Sequence, residues 1–322
     1  MRRTVLLTLS VLLAGCAPAV TAFDPAARLD PADFGPQRAN TEWWYASGYL
    51  PESGVSFHWA QFKVNYRGLV YYASHVAVTD LNTGKLTFVE QNSQDARLSF
   101  PPLSLRQGDW QLQQRGQDYQ LNAGPLQLWL SPLKRPVIHP PGYSGTPEVG
   151  QMYYQSVTRL ALSGTANGKQ VQGLAWFDHQ WGNQMPGWNA LWDWFGLHLS
   201  SGADLMLYRV RDGTGRVVQV AGSLVGVDGV ARAVPDLKMT PLRDWTSPSG
   251  RRYSLAWKVE AGGNSLTLNP LRDEQELLSK TTSVAYWEGP VRGQGSWDGQ
   301  PVEAAGMGEF VGGPLSRPEG GR

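Results

Sequence analysis

The chain has 322 residues, 41% hydrophobic and 17% charged, with a formal net charge of +1. That balance describes a globular protein of about two domains, and the lack of a basic stripe to follow phosphates excludes a nucleic-acid binder. A single cysteine among 322 residues excludes disulfides and thiolate metal sites, whereas 14 tryptophans mark an aromatic-lined interior or cleft.

The chain opens on Met1-Arg2-Arg3, an apolar run from Val5 to Leu13, and Ala14-Gly15-Cys16. A positive start, a short apolar run and small residues before a cleavage point make an export signal. The run falls short of the roughly 20 apolar residues that span a bilayer, and its small-small-Cys ending resembles the bacterial lipobox. Residues 1–16 are therefore expected to be a lipoprotein signal peptide. Lipidated Cys16 becomes the first residue of an exported chain anchored to the cell membrane or outer membrane. Residues 17–37, rich in Ala, Pro and Asp, are expected to be a flexible spacer.

From residue 38 the sequence alternates with period two, as in Val55-Ser56-Phe57-His58-Trp59-Ala60-Gln61-Phe62-Lys63-Val64 and in Asp204-Leu205-Met206-Leu207-Tyr208-Arg209-Val210-Arg211. Period two predicts strands. Asn82-Thr83-Gly84, Asn167-Gly168, Asp212-Gly213, Asp228-Gly229, Ser249-Gly250 and Asp298-Gly299 punctuate these runs at hairpin spacing. No long amphipathic helix is present in the pattern, and 37 Gly with 22 Pro fit an all-β fold of short strands and tight turns.

The two halves resemble each other. Trp44-Tyr45 leading to Gly54, Phe57 and Trp59 is echoed by Trp194-Phe195 leading to Gly202, Leu205 and Leu207. Gly164, Asn167-Gly168, Val171 and Asp178 recur at one constant offset as Gly295, Asp298-Gly299, Val302 and Glu309. The expectation is two β lobes related by duplication, over residues 38–186 and 187–316, with a short tail at 317–322.

The densest chemistry is Trp176-Phe177-Asp178-His179-Gln180-Trp181-Gly182, followed by Trp188, Trp192-Asp193-Trp194-Phe195 and His198. On strands, Asp178 and Gln180 share one face while Phe177, His179 and Trp181 share the other; Trp192, Trp194 and His198 lie opposite Asp193. Thr41-Glu42-Trp43-Trp44-Tyr45, His58-Trp59 and Ser74-His75 repeat the mixture. A carboxyl group in apolar surroundings has a raised pKa and can act as a general acid, and indole faces stabilise a cation. The plainer reading is an Asp–His strut, packing tryptophans and a Glu42 paired with a buried Arg or Lys. No Gly-x-Ser-x-Gly elbow or phosphate loop occurs, and histidines 58, 75, 139, 179 and 198 lack metal-site spacing. Neither a metal nor a cofactor is expected.

Thr41-Glu42-Trp43-Trp44-Tyr45, Ser74-His75, Tyr153-Tyr154, Asp178-His179-Gln180-Trp181-Gly182, Trp192-Asp193-Trp194-Phe195 and Tyr286-Trp287-Glu288-Gly289 together resemble the AttH-like and carotenoid 1,2-hydratase family. The likeness runs over nearly everything after the spacer. It implies two lipocalin-like β-barrel lobes and a hydrophobic small-molecule ligand, in a family whose members include hydratases, cyclases and exported proteins labelled as hydrolases. In the hydratase branch an acid lies close behind the tyrosine matching Tyr208, whereas here Arg209-Val210-Arg211 precedes Asp212.

Two functions follow as expectations. In the first, an acid-catalysed hydratase or isomerase takes a terpenoid, carotenoid or other lipid-like double bond. Asp178 donates the proton, His179 orients water, Asp193 is a second acid, and Trp181, Trp192 and Trp194 flank the cation. Glu42, Trp43, Trp44, His75, His198 and Tyr208 complete the ligand site. In the second, the chain is a non-catalytic carrier of a hydrophobic ligand beside an envelope transporter.

Overall fold

The computed structural model describes residues 21–184 and 190–315. The signal peptide, Cys16, the first spacer residues, Trp188, the expected lobe boundary at 186/187 and the tail at 317–322 lie outside the described residues. All regular structure in them is strand.

The first lobe contains β1 (Thr41–Leu50), β2 (Val55–Tyr66), β3 (Leu69–Asp80), β4 (Lys85–Ser93), β5 (Arg97–Ser99), β6 (Ser104–Gln107), β7 (Trp110–Arg115), β8 (Asp118–Ala123), β9 (Leu126–Pro132), β10 (Val137–Thr146), β11 (Gly150–Ala166) and β12 (Lys169–Gly182). The second contains β13 (Ala190–Leu199), β14 (Asp204–Asp212), β15 (Val217–Val225), β16 (Ala231–Ala233), β17 (Lys238–Thr246), β18 (Arg252–Ala261), β19 (Asn264–Pro270), β20 (Glu276–Leu278), β21 (Val284–Trp297) and β22 (Gln300–Pro314). Every turn signal read from the sequence falls at a junction between consecutive strands, with Asp212 as the last residue of β14.

Strand order proves the duplication. The first sheet runs β4-β3-β2-β1-β12-β11-β9-β8-β7-β6-β5 and the second β16-β15-β14-β13-β22-β21-β19-β18-β17, with β10 on β11 and β20 on β21 as matching additions. These are two curled antiparallel sheets of lipocalin-like type. Side chains help close the first, where Gln91 Nε2 on β4 donates to the Gln107 carbonyl at 2.9 Å. The β11–β12 and β21–β22 hairpins turn on Asn167-Gly168 and Asp298-Gly299, all four residues with positive φ, as a two-residue turn matched to strand twist requires.

One detail of the duplication is corrected. Tyr45 lies opposite Asp178, and Trp194 lies opposite Glu309. Tyr45, not Trp44, is therefore the equivalent of Trp194. A shift of one residue exchanges the faces of a strand, and Trp44 points into the first lobe's core while Trp194 points between the lobes.

Each lobe has its own core, one around Trp44, Phe57, Trp59 and Phe177, the other around Phe195, Trp257, Trp287 and Phe310. A third cluster, with Trp43, Tyr45, Tyr154, Trp176, Trp194 and Tyr208, joins the outer faces of the two sheets. The expected spacer is not free of the body over its described part. Phe34 is 2% exposed within the first core, its carbonyl accepts the Trp44 indole N–H at 2.8 Å, and Phe23 stacks on Tyr153 at 4.4 Å. Burying a phenylalanine stabilises by about 1.5–3 kcal/mol, which offsets the entropy of an otherwise extended segment.

Candidate functional site

Because β1, β12, β13 and β22 are the central strands of their sheets, alternate residues on their outer faces meet across the lobe interface. A cavity of about 50 Å³ forms there, lined by Trp43, Tyr45, His58, Tyr154, Asp178, Trp192, Trp194, Tyr208, Tyr286, Glu288 and Glu309 among others. An apolar chamber of about 260 Å³ adjoins it, walled by Phe62, Val64, Ala73, His75, Val284 and Val311. Phe62, Trp192, Tyr286 and Glu309 line both. The two are parts of one cleft with a polar end and an apolar end.

Aromatic rings hold the polar end in shape. Trp43 stacks on Trp192 at 5.8 Å, and Tyr45 and Trp176 each meet Trp194 edge-on at 5.5 and 6.0 Å. Three carboxyl groups face this end. Asp178 accepts from the Tyr154 hydroxyl at 2.9 Å, from the Trp176 indole and from the Ser156 hydroxyl. Burial still outweighs these donors and pushes Asp178 up to about 7. Glu309 is pushed up to about 7 by burial, with the Asp178 charge adding to it and the Trp192 indole opposing. Burial, reinforced by the neighbouring Glu309 charge, lifts Glu288 well above the ordinary carboxylate range, although Tyr45 donates to its Oε1 at 2.6 Å.

The imidazoles nearby are neutral. Burial lowers His58 to about 3 and His139 to about 3. His139 bridges the lobes, its Nε2 at 2.7 Å from Ser156 and its Nδ1 at 2.5 Å from Ser223. His75, lowered to about 4 by burial, meets the Tyr286 hydroxyl at 2.9 Å and Thr281 at 2.8 Å. Three buried polar atoms on the cleft wall, His58 Nδ1, Tyr208 Oη and Glu288 Oε2, have no protein partner. Buried polar atoms are normally paired, so three unpaired ones on residues of one cleft wall mark it as a place for polar groups of a ligand.

The structure brings Asp178, Trp43, Trp192, Trp194 and Tyr208 to the polar end, and His75 to the apolar chamber. It does not bring the other expected residues there. His179 projects from the opposite face of β12 to Asp178, at 2.9 Å from Glu42 and stacked between Trp44 at 4.9 Å and Trp181 at 4.5 Å. Glu42 also pairs with Lys63 at 2.8 Å, the plainer reading of that residue. Asp193 is held by Arg209 at 2.8 Å and Arg211 at 3.1 Å, away from the cleft. His198 bonds Asp204 at 2.8 Å, outside both chambers.

Sequence reasoning missed Tyr45, His58, Tyr154, Tyr286, Glu288 and Glu309 as site residues. Two signals were available. Glu309 is the duplication partner of Asp178, and Tyr286 with Glu288 belongs to the last motif of the resemblance. Pairing register makes Tyr154 and Tyr286 equivalent as well, since they lie opposite Gln180 and Val311. The cleft is thus lined twice by corresponding positions.

A family model described as AttH-like matches residues 24–313. No curated protein matches the sequence. Among solved structures, the chain is similar to a protein assigned to AttH from Nitrosomonas europaea, with TM-score 0.78 and 26% identity over 91% of this chain and 99% of that one. It also resembles kievitone hydratase from Nectria haematococca, with TM-score 0.69 and 16% identity over 94% and 95% of the two chains. For the protein CghA the values are 0.55 and 11%, over 87% and 90%.

Proposed function

The chain belongs to the AttH-like family, and from that premise and the chemistry of its cleft we propose that it protonates a carbon–carbon double bond of a hydrophobic small molecule, leading to hydration or isomerisation. The observation that carries this is three carboxyl groups with raised pKa converging on an indole- and phenol-lined cleft. Protonating an alkene requires an acid still protonated near neutral pH and shielded from bulk water. The resulting cation gains about 0.5–2 kcal/mol from each aromatic face, here Trp43, Trp192 and Trp194. Asp178, fixed by three donors, presents negative charge to the same space when ionised. A hydratase on the same fold supports the reading at the level of fold.

Chambers of about 50 and 260 Å³ are at the small end of ligand sites, which run from roughly 300 to 1,000 Å³. They suit a compact ligand, or one end of a longer chain. A lipid anchor on Cys16 supports an apolar ligand by holding the cleft near a membrane; Cys16→Ser is expected to move the protein from the membrane to the soluble fraction, and unchanged fractionation contradicts the anchor.

The reaction is tested by incubating the purified protein with a lipid extract of the producing cells in deuterium oxide containing heavy oxygen. Mass spectrometry is expected to find carbon-bound deuterium in a product. Heavy oxygen in it identifies hydration, and its absence isomerisation. A ligand that binds and is recovered without either label overturns the reading in favour of a carrier, a role that the ligand cavities of β-barrels serve.

A further inference from the structure

Alternation along β14 sends Arg209 and Arg211 away from the cleft to Asp193, so the next cleft residue behind Tyr208 is Val210. No carboxyl group follows Tyr208 into the site, and its acid has to come from another strand. Glu288 and Glu309 lie directly opposite each other across β21 and β22, where side chains on one face have Cβ atoms about 4.5–5.5 Å apart. Neither forms an ion pair among the described residues, as Asp178 does not, whereas ion pairs hold the buried carboxylates Glu42, Asp193 and Asp204. Glu288 is buried and Glu309 partly so; two adjacent carboxylates in such a place without a cation are costly, and a single proton held between them relieves that cost.

Their positions differ usefully. Glu309 lines both chambers and so touches whatever spans the junction, while Glu288 lines only the polar end, where its Oε2, like His58 Nδ1 and Tyr208 Oη, has no protein partner. A cavity of about 50 Å³ has room for one to a few water-sized groups, and a stable buried water needs about two to four polar partners. Polar residues of this wall include His58, Tyr208 and Glu288.

We propose that Glu288 and Glu309 are a proton-sharing dyad that gives its proton to the double bond and recovers one from a water admitted to the polar end of the cleft, which His58, Tyr208 and Glu288 line. This rests on the double-bond reading above. The π pair forms the new C–H bond with the dyad's proton, leaving a cation on the adjacent carbon. A lone pair of the water forms the C–O bond, and the water's proton returns to the dyad, so the net change is addition of one water. In isomerisation the dyad instead takes a proton from a neighbouring carbon.

Two measurements on the full chain test it. Infrared difference spectroscopy needs no substrate and is expected to show a protonated-carboxyl band near neutral pH that Glu288→Gln and Glu309→Gln each alter. Tyr45, His58, Asp178, Tyr154, Tyr208 and Tyr286 face the pair from the surrounding strands, so the band is read as the difference between wild type and variant, which separates it from Asp178. In the deuterium assay each variant is expected to lose about 100-fold or more in labelling, the usual weight of a general acid. If both variants keep the wild-type band and label within a few-fold of wild type while Asp178→Asn does not, the dyad is overturned and the double-bond reading stands. A wild type that labels nothing removes that reading and the dyad's catalytic part with it.

Discussion

His139 shows how a residue with no sequence motif around it can matter to both lobes. It sits 1% exposed between Ser156 and Ser223, with Tyr154 at 4.5 Å and Trp176 at 6.2 Å. Burial lowers it from 6.5 to about 3, so below pH 6.5 the unfolded chain binds a proton that the folded chain does not. Its contribution is present above pH 6.5 and is lost as pH falls towards 3, at up to about 1.4 kcal/mol per pH unit. Asp178 and Glu309, raised to about 7, act oppositely, reducing stability as pH rises from about 4 to 7. His139→Gln should therefore lower the urea midpoint less than wild type does between pH 7 and pH 5. An equal drop in both proteins means that this imidazole titrates normally. Asp178 was legible from sequence as a carboxyl group among indoles. Its alternation was legible too, and already placed His179 on the opposite face, where Glu42 and Trp44 hold it.

At the scale of elements, the paired hairpins β11–β12 and β21–β22 carry the duplication. Gly164 and Gly295 occupy equivalent places for the same reason: a Cβ there would lie 2.1 Å from the Gln127 carbonyl oxygen and 2.0 Å from that of Ser265. Neither contact is tolerable, and both involve backbone that cannot turn aside. Gly295→Ala is expected to destabilise by about 2 kcal/mol or more, read as a fall in thermal midpoint; a change under about 0.5 kcal/mol indicates that β19 gives way. Strands and turns were legible because period two and Asn-Gly or Asp-Gly pairs act locally. The docking of residues 21–37 was not legible, since the value of Phe34 depends on a core assembled from distant strands.

For the whole molecule, the cleft exists only because the lobes are held together, and one buried cluster does much of this. Asp204 of the second lobe receives Lys134 at 2.7 Å and Arg159 at 2.8 Å from the first, with His198 at 2.8 Å. Removing one member of such a cluster leaves charges unpaired in a dry place and costs about 3–5 kcal/mol. Asp204→Ala is expected to lose that much in urea unfolding, whereas a loss below 1 kcal/mol places these cations in contact with solvent. Tyr45 to Glu288, Trp194 to Tyr154 and His139 to Ser223 add polar bonds across the same interface. The sequence by itself determined an all-β chain, its turns and a duplicated hairpin, because each depends on neighbours within a few residues. Only the tertiary structure decided that Asp178, Glu288 and Glu309 meet while His179, Asp193 and His198 do not. Convergence depends on the register of four central strands and on the mutual placement of two sheets, and local alternation specifies neither.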